Sequence, residues 1–532
     1  MFLSNLVQWV LGYHELGQML VAIHDDGHLK VGSPQAQASN CCEALYQALG
    51  EVLYYPPDSD YQNSSDSYWS LRNVDVRPRC ILRPASVEAV SKATQILARG
   101  EKTWPGKCQF AIKSGGHTPF REAATLDDGI VIDLSKMPSE GLAEDQSSIT
   151  VSPATKWDQL YEQLDPLNLT VVGGRVAGVG VGGLVLGCGI SYVSSKHGFA
   201  CDNVENFQVV LSSGRIVNAN ANEHRDLWKA LRGGSNNFGI ATAITLRTHD
   251  QGPFWGGQTF HRIEQREEIF QRLENLIEDY DQHTHFLTTM VINGEMRSWF
   301  IGNSYQCTQS NPHVALAARP RPFERLLDLK RHPVFPGTPT DSLRIGNMTS
   351  YSREYASLLK EKKRWTFASI SFGNSARMME EFWQLTFKAV KPFLGISSFQ
   401  LSISYQPIPT RSSSDPNLNS LGLLHSQGPM FNVHFALGVG NETAHLDHAI
   451  TSAVKALFEK AEEVASSWGL QRDYVQMTYA DGWQKPIERR GEKVVREMIE
   501  ISKKYDPEQM FQKQVRGGFK LTMEQGQSSL KL

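Results

Sequence analysis

The chain has 532 residues, 40% of them hydrophobic and 20% charged, with 43 glycines and a formal net charge of −3. That length exceeds what one core usually supports, so two domains, or one with a large insertion, are expected, and the composition is that of a globular protein rich in tight turns. The near-neutral balance, with basic residues dispersed in mixed runs such as Glu488-Arg489-Arg490, excludes a nucleic-acid partner of the basic-patch kind, and no stretch approaches the ~18 consecutive apolar residues of a membrane span.

The N-terminal stretch Met1 to Ile23 is interrupted by His14, Glu15 and Gln18 and lacks both a basic start and a small-residue cleavage site, so no clear signal peptide is read there. Ser39 to Val52 carries Ala44, Leu45, Ala48 and Leu49 at helical spacing, and Pro56 to Ser65 reads as a loop. Cys80-Ile81-Leu82 is a short strand candidate. Ser86 caps a helix whose Val87, Val90, Ala93, Thr94 and Leu97 share a face. Strand signals follow at Ala111 to Lys113, Ile130 to Leu134, Ser148 to Val151, Gln208 to Leu211 and Ala241 to Leu246.

Farther on, Gln265 to Tyr280 places Ile269, Phe270, Leu273, Leu276 and Ile277 on one helical face, and Met378 to Val390 is a second amphipathic helix. Thr366 to Phe372, Phe399 to Tyr405 and Phe431 to Leu437 alternate as strands do. Strands mixed with a few helices imply an α+β layer arrangement.

The most informative motif is Ser114-Gly115-Gly116-His117-Thr118, followed about sixty residues later by Gly178-Val179-Gly180-Val181-Gly182-Gly183. Adjacent glycines lack the Cβ atoms that keep a phosphate off the backbone, so consecutive N–H groups can converge on an anion. The glycine spacing does not fit the Gly-x-Gly-x-x-Gly fingerprint of a Rossmann site, which disfavours NAD. A phosphate cradle has no need of the imidazole of His117; a covalent flavin linkage does. The seven cysteines show neither a Cys-x-x-Cys pair nor metal-ligand spacing with histidine, so no metal is expected.

With Leu227 to Ile240, Tyr505-Asp506-Pro507-Glu508 and Gly517 to Leu521, these motifs stand in the order of the vanillyl-alcohol-oxidase type of flavoprotein, and the chain resembles its berberine-bridge-enzyme-like members of the fungal secondary-metabolism type. The resemblance implies an α+β fold: a PCMH-type FAD-binding domain of two α/β subdomains, plus an antiparallel-sheet substrate domain backed by helices. It implies a lead and helix over 1–75, the FAD-binding domain over 76–251, the substrate domain over 252–470, a segment over 471–521 returning to the FAD domain, and a tail over 522–532. It also implies that Cys42, or Cys41, bridges to Cys80; reduced thiols are the alternative in a cytosolic protein. Relatives often enter the secretory pathway, which leaves the compartment open, as is the oligomeric state.

By the same resemblance FAD is the cofactor, held by Ser114, Gly115, Gly116, His117, Thr118, Val179, Gly180, Gly182, Gly183, Gly187, Gly239 and Ile240. His117 is the attachment residue; a neutral imidazole is nucleophilic near pH 7, where a lysine is protonated. Relatives with a second, cysteinyl link carry that cysteine where this chain has Val176, so attachment through His117 only is expected. Val179 matches the position where valine accompanies oxidase behaviour, making O2 the expected acceptor. Tyr479 in Gln476-Met477-Thr478-Tyr479 matches the second tyrosine of the family's Tyr-x-Asn-Tyr motif, as catalytic base or orienting hydroxyl, with departures at Gln476 and Thr478. Tyr405, Gln406 and His434 are expected to line the substrate pocket. The implied reaction is a two-electron oxidation of a small secondary metabolite: alcohol oxidation, dehydrogenation or oxidative cyclisation. The rivals are a carbohydrate oxidase producing a lactone and H2O2, and a flavin-binding protein without turnover.

Overall fold

The computed structural model describes residues 40–294 (backbone alone at 278–279), 298–309, 320–357, 362–408, 419–423 and 428–521, together with the backbone of 21–23 and 29–31. Most of the segment Met1 to Ile23 read for a leader, and the tail 522–532, lie outside these residues. No helix among the described residues is long and apolar enough to cross a membrane.

Among the described residues, three sheets organise the chain beyond an antiparallel pair of short strands, Val21–Ile23 and Leu29–Val31. The first orders Leu53–Tyr54, Cys80–Leu82, Ile130–Asp133 and Phe110–Lys113, with the last three parallel, and Val515 bridges to Phe110 from the C-terminal segment. The helix Val87–Thr103 packs here; Ser86 Oγ accepts from the Ala89 N–H at 3.2 Å, so the hydroxyl satisfies a donor the helix leaves free. A Cβ on Gly100 of that helix would meet Cys41 Sγ at 2.1 Å and Cys108 Sγ at 2.7 Å, so only glycine lets it rest on the Cys41–Cys108 disulfide. Cys42 pairs with Cys80 and Cys188 with Cys201, leaving Cys307 as a buried free thiol.

The second, antiparallel sheet is centred on Ile240–Asp250, flanked by Val204–Val210 and Ser148–Val151. The third has eight antiparallel strands, with Phe254–Arg262, Phe300–Cys307, Thr284–Asn293, Gln400–Pro407, Met430–Val439 and Arg364–Gly373 adjacent in that order. Its outer face is covered by the helices Arg266–Asp279, Ala376–Val390 and Asp447–Ser467, in a core that includes Phe286, Met290, Leu401, Ile403, Phe435, Leu437, Phe382 and Phe458. Burying each such side chain stabilises the fold by roughly 1.5–3 kcal/mol. Side chains alternate across a strand, so the intervening positions face the other way.

One expectation fails locally. Pro56 to Ser65, read as a loop, is helical from Ser59 on, in the helix Ser59–Asp66. Its polar sequence has little helix propensity, and tertiary bonds hold it: Lys113 Nζ donates to Ser64 O at 2.7 Å, and the Ser64 hydroxyl donates to Asp133.

Candidate active site

A cavity of about 700 Å³ lies between the glycine motifs and the inner face of the eight-stranded sheet. One wall is made of Ser114–Thr118, Val179, Gly180, Gly182, Gly183 and Gly239–Ala241, and Gly518 and Phe519 of the C-terminal segment also line it. These loops meet at backbone contact: a Cβ on Gly115 would come within 2.5 Å of Gly180 Cα, and the reverse is equally tight. Gly116 takes φ +66°, a conformation glycine adopts without strain. The absent Cβ of Gly183 would point into open space on the cavity wall.

His117 follows this turn. Its ring stacks on Trp69 with centroids 4.4 Å apart, and Trp69 stacks in turn on Trp365 at 4.9 Å. Burial, reinforced by the nearby Lys156 ammonium, pushes the imidazole pKa down to about 3, so the ring is neutral at physiological pH and keeps a lone pair on one nitrogen. Lys156 Nζ itself donates to Gly115 O at 2.6 Å and pins the turn. Beneath it, Lys113 lies 3.2 Å from Asp133 and also donates to Ser67 Oγ at 2.7 Å. Burial raises the Asp133 pKa, but the ammonium and the Ser64 hydroxyl outweigh it and hold the carboxylate ionised. Side-chain-free glycines open to the cavity, with a fixed neutral imidazole at the end of the turn, fit a flavin dinucleotide bonded through His117.

The opposite wall comes from alternate residues of the large sheet. Gln400, Ser402, Ser404 and Gln406 line the cavity from one strand, His434 and Ala436 from the next, and Leu287, Thr289, Val291 and Asn293 from a third. Tyr405, expected in the pocket, points the other way. Its ring packs among the backing helices, 5.1 Å from Phe270, and its hydroxyl donates to Met379 O at 3.1 Å. A strand residue between two cavity-facing neighbours must face the opposite layer. Gly187 is also absent from the cavity wall: it ends the short helix Val181–Leu186, where a Cβ would meet Thr478 Cγ2 at 2.7 Å. Every other residue expected at the cofactor or pocket lines the cavity.

Tyr479 sits at the end of a 3-10 turn, Met477–Tyr479, with its ring stacked 4.2 Å from that of His434. Burial, then Arg175 and His117, push the His434 imidazole down to about 3, and its buried Nε2 has no partner. The motif departures are structural ties: Gln476 Nε2 donates to Cys188 O at 3.1 Å and to Thr478 Oγ1 at 2.9 Å, fixing the turn to the glycine segment.

Sequence reasoning missed Arg175, beside Val176. Its Nη2 donates to Tyr479 Oη at 2.6 Å and its Nη1 to His285 Nε2 at 2.9 Å. His285 donates through Nδ1 to Gln306 Oε1 at 2.7 Å, its register partner on the neighbouring strand, and burial and Arg175 push it down to about 3. Arginine in a flavin motif was a visible signal; its partners, 110 and 304 residues away, were not. Among the described residues no group of three or more His, Cys, Asp or Glu could hold a metal.

The model of an FAD binding domain matches residues 78–220. The chain is 48% identical over 491 residues to FAD-dependent monooxygenase CTB5 of Cercospora beticola, covering 91% of this chain and 92% of that protein. It is 48% identical over 348 residues to FAD-dependent monooxygenase elcE of Phaeosphaeria nodorum, covering 65% of this chain and all of that one. Its fold is similar to that of the glucooligosaccharide oxidase of Acremonium strictum, whose FAD is both cysteinyl- and histidyl-linked, with a TM-score of 0.69 at 18% identity over 90% of this chain and 98% of that one. With the cofactor cradle and this extent of identity together, the chain belongs to the fungal FAD-dependent monooxygenase family of PCMH-type flavoenzymes, FAD-dependent oxidoreductases of small metabolites.

Proposed function

We propose that the protein withdraws two electrons from a small, largely apolar secondary metabolite and delivers them to O2, with FAD tethered through His117 alone. The observation that carries this reading is that His117 and Tyr479 line one cavity whose substrate wall includes Phe260, Leu287, Val291, Phe300 and Phe367. Bound FAD supplies the two-electron redox chemistry. Val176, which lines the same cavity, has no sulfur for a second bond to it. Acting as its phenolate, Tyr479 takes the proton of a substrate hydroxyl and becomes the neutral phenol, and the guanidinium at 2.6 Å lies beside the negative charge as it passes to the substrate oxygen. The Tyr479 ring is stacked on His434, whose other neighbour is Phe367, edge-on with centroids 4.5 Å apart.

In the balance, the substrate loses a hydride and a proton, and two electrons and two protons convert O2 to H2O2. The relatives' name supports a second reading, in which the two electrons and two protons taken from the substrate are spent on O2, one oxygen atom entering the product and the other leaving as water. Holoenzyme turned over with extract from producing cells that lack this protein separates the two. Oxidation gives one H2O2 per O2 and no label from ¹⁸O2; oxygen insertion labels the product and gives no peroxide. Absence of any O2 uptake with every extract rejects both. Val179→Leu is expected to slow reoxidation of photoreduced flavin while leaving anaerobic reduction nearly intact; equal rates reduce Val179 to packing. The three disulfides favour folding in an oxidising compartment, and we place the protein in the secretory pathway, which fractionation of producing cells tests.

A further inference from the structure

The His117 imidazole is held by its face. No other residue among those described hydrogen-bonds to either ring nitrogen, and the Lys156 ammonium, whose field reaches the ring, donates to Gly115 O instead. Proteins commonly fix the rotation of an imidazole through the hydrogen bond made by its second nitrogen. Here that role falls to Trp69, whose ring lies 4.4 Å from the imidazole and 13° from parallel.

Trp69 is itself fixed from several sides. Its backbone N–H donates to Gly116 O at 3.0 Å, which ties it to the same glycine turn. Its ring stacks on Trp365 at 4.9 Å and 10°, and meets Phe367 edge-on at 5.5 Å. The residues after it are bonded to the substrate sheet: the Leu71 N–H donates to Lys363 O at 3.0 Å, the Trp365 N–H to Ser70 Oγ at 3.3 Å, and Arg72 Nη1 to Thr366 Oγ1 at 3.2 Å. The residue before it, Tyr68, donates to Ala124 O at 2.8 Å and has Lys113 Nζ 4.4 Å from its ring centroid. Packing alone would bury the indole, yet Trp69 is only partly buried and lines the cavity, while Trp365 is 1% exposed.

We propose that Trp69 is the positioning residue for flavin attachment: its indole holds the His117 imidazole in the rotation that turns a nitrogen lone pair to the cofactor. This rests on the His117-linked reading and deepens it. In the attachment, that lone pair forms a bond to a methyl carbon on the benzenoid ring of the flavin. One proton leaves the carbon and one leaves the imidazole, the electron pair of the broken C–H bond reduces the flavin by two electrons, and O2 takes both electrons and both protons to give H2O2. A ring free to turn presents its lone pair only part of the time. An aromatic stack shifts such a population by about two- to tenfold, and displacement of the ring itself costs more.

The test separates flavin that is bound from flavin that is bonded, so it needs no substrate and no turnover. Full-length protein from a riboflavin-starved host is given FAD in air. Affinity is read from the quenching of FAD fluorescence in the first seconds, and bonding from the flavin that stays with acid-precipitated protein over time. Trp69→Leu should bind FAD within about threefold of wild type but bond it about tenfold more slowly, and Trp69→Phe, which keeps a ring to stack, should fall between. Bonding at the wild-type rate in Trp69→Leu overturns the proposal, as does slow bonding matched by an equal loss of FAD affinity, or a Phe variant no faster than the Leu variant. Should Trp69→Leu fail to fold, Trp69→Phe decides alone: a rate about two- to threefold below wild type supports the proposal and an unchanged rate overturns it. Failure of the His117-linked reading shows instead as free FAD from denatured wild type, whatever the variants do.

Discussion

The two walls of the cavity are built on different plans. The cofactor wall is made of residues close together in the chain, the turn Ser114–Thr118 and Val179, Gly180, Gly182 and Gly183 at the start of the helix Val181–Leu186, in which the backbone is the recognising group and missing side chains make the room. The substrate wall is made of alternate residues from strands spread over some two hundred positions, each interleaved with a residue that belongs to the helix-backed core. A change on the first wall is therefore read in cofactor attachment, whereas adjacent changes on the second are read in different properties altogether.

The sharpest test of the cofactor wall is His117→Ala. Acid-denatured wild type should keep its flavin on a single peptide containing His117, and the variant should release all of its FAD. Free FAD from denatured wild type would break the covalent reading, and a flavin on cysteine would break the single attachment. Next in size is Tyr479→Phe, where the two walls meet. Loss of a proton acceptor typically costs ~10²- to 10⁴-fold, so anaerobic flavin reduction should slow by that order in a folded, flavinylated protein. Reduction within about twofold of wild type would move the role to another group, with His434 the nearest imidazole.

The substrate wall is sharpened by two neighbours on one strand. Leu401→Ala removes a fully buried core side chain and should cost about 2–5 kcal/mol in denaturant unfolding, whereas Ser402→Ala, one residue on, should change stability by less than about 0.5 kcal/mol and act on KM instead. Comparable stability losses at both positions would contradict the alternation.

The smallest effect is on pH. His285 has a folded-state pKa of about 3 against an ordinary value of 6.5, so the folded protein binds fewer protons between those limits. The stability His285 contributes is present above pH 6.5 and is lost as pH falls toward 3, by about 2 kcal/mol at pH 5. Asp202, pushed up to about 6 by burial, has the opposite sign, its contribution being lost as pH rises through 6. The readout is thus the difference between wild type and His285→Gln, whose unfolding midpoint should decline less from pH 7 to pH 5. Parallel declines would show that His285 titrates normally.

By itself the sequence determined the cofactor, because a dinucleotide cradle and its nucleophile are local: glycine's freedom and the imidazole of His117 are properties of neighbouring residues. It also determined most elements, among them the Ser86-capped helix and the amphipathic helices ending near Tyr280 and Val390, since periodicity records which face is buried. Tertiary structure decided the rest. Alternation marks two faces of a strand without saying which meets the cavity, so Gln406 and His434 fell on the cavity side and Tyr405 on the core side. The helix Ser59–Asp66 exists through its bonds to Lys113 and Asp133, which its own polar sequence cannot announce. Arg175 finds Tyr479 across 304 residues and His285 across 110, and Cys41 finds Cys108 rather than Cys80. Such pairings depend on how three sheets pack, and no local pattern encodes the distance between positions so far apart in the chain.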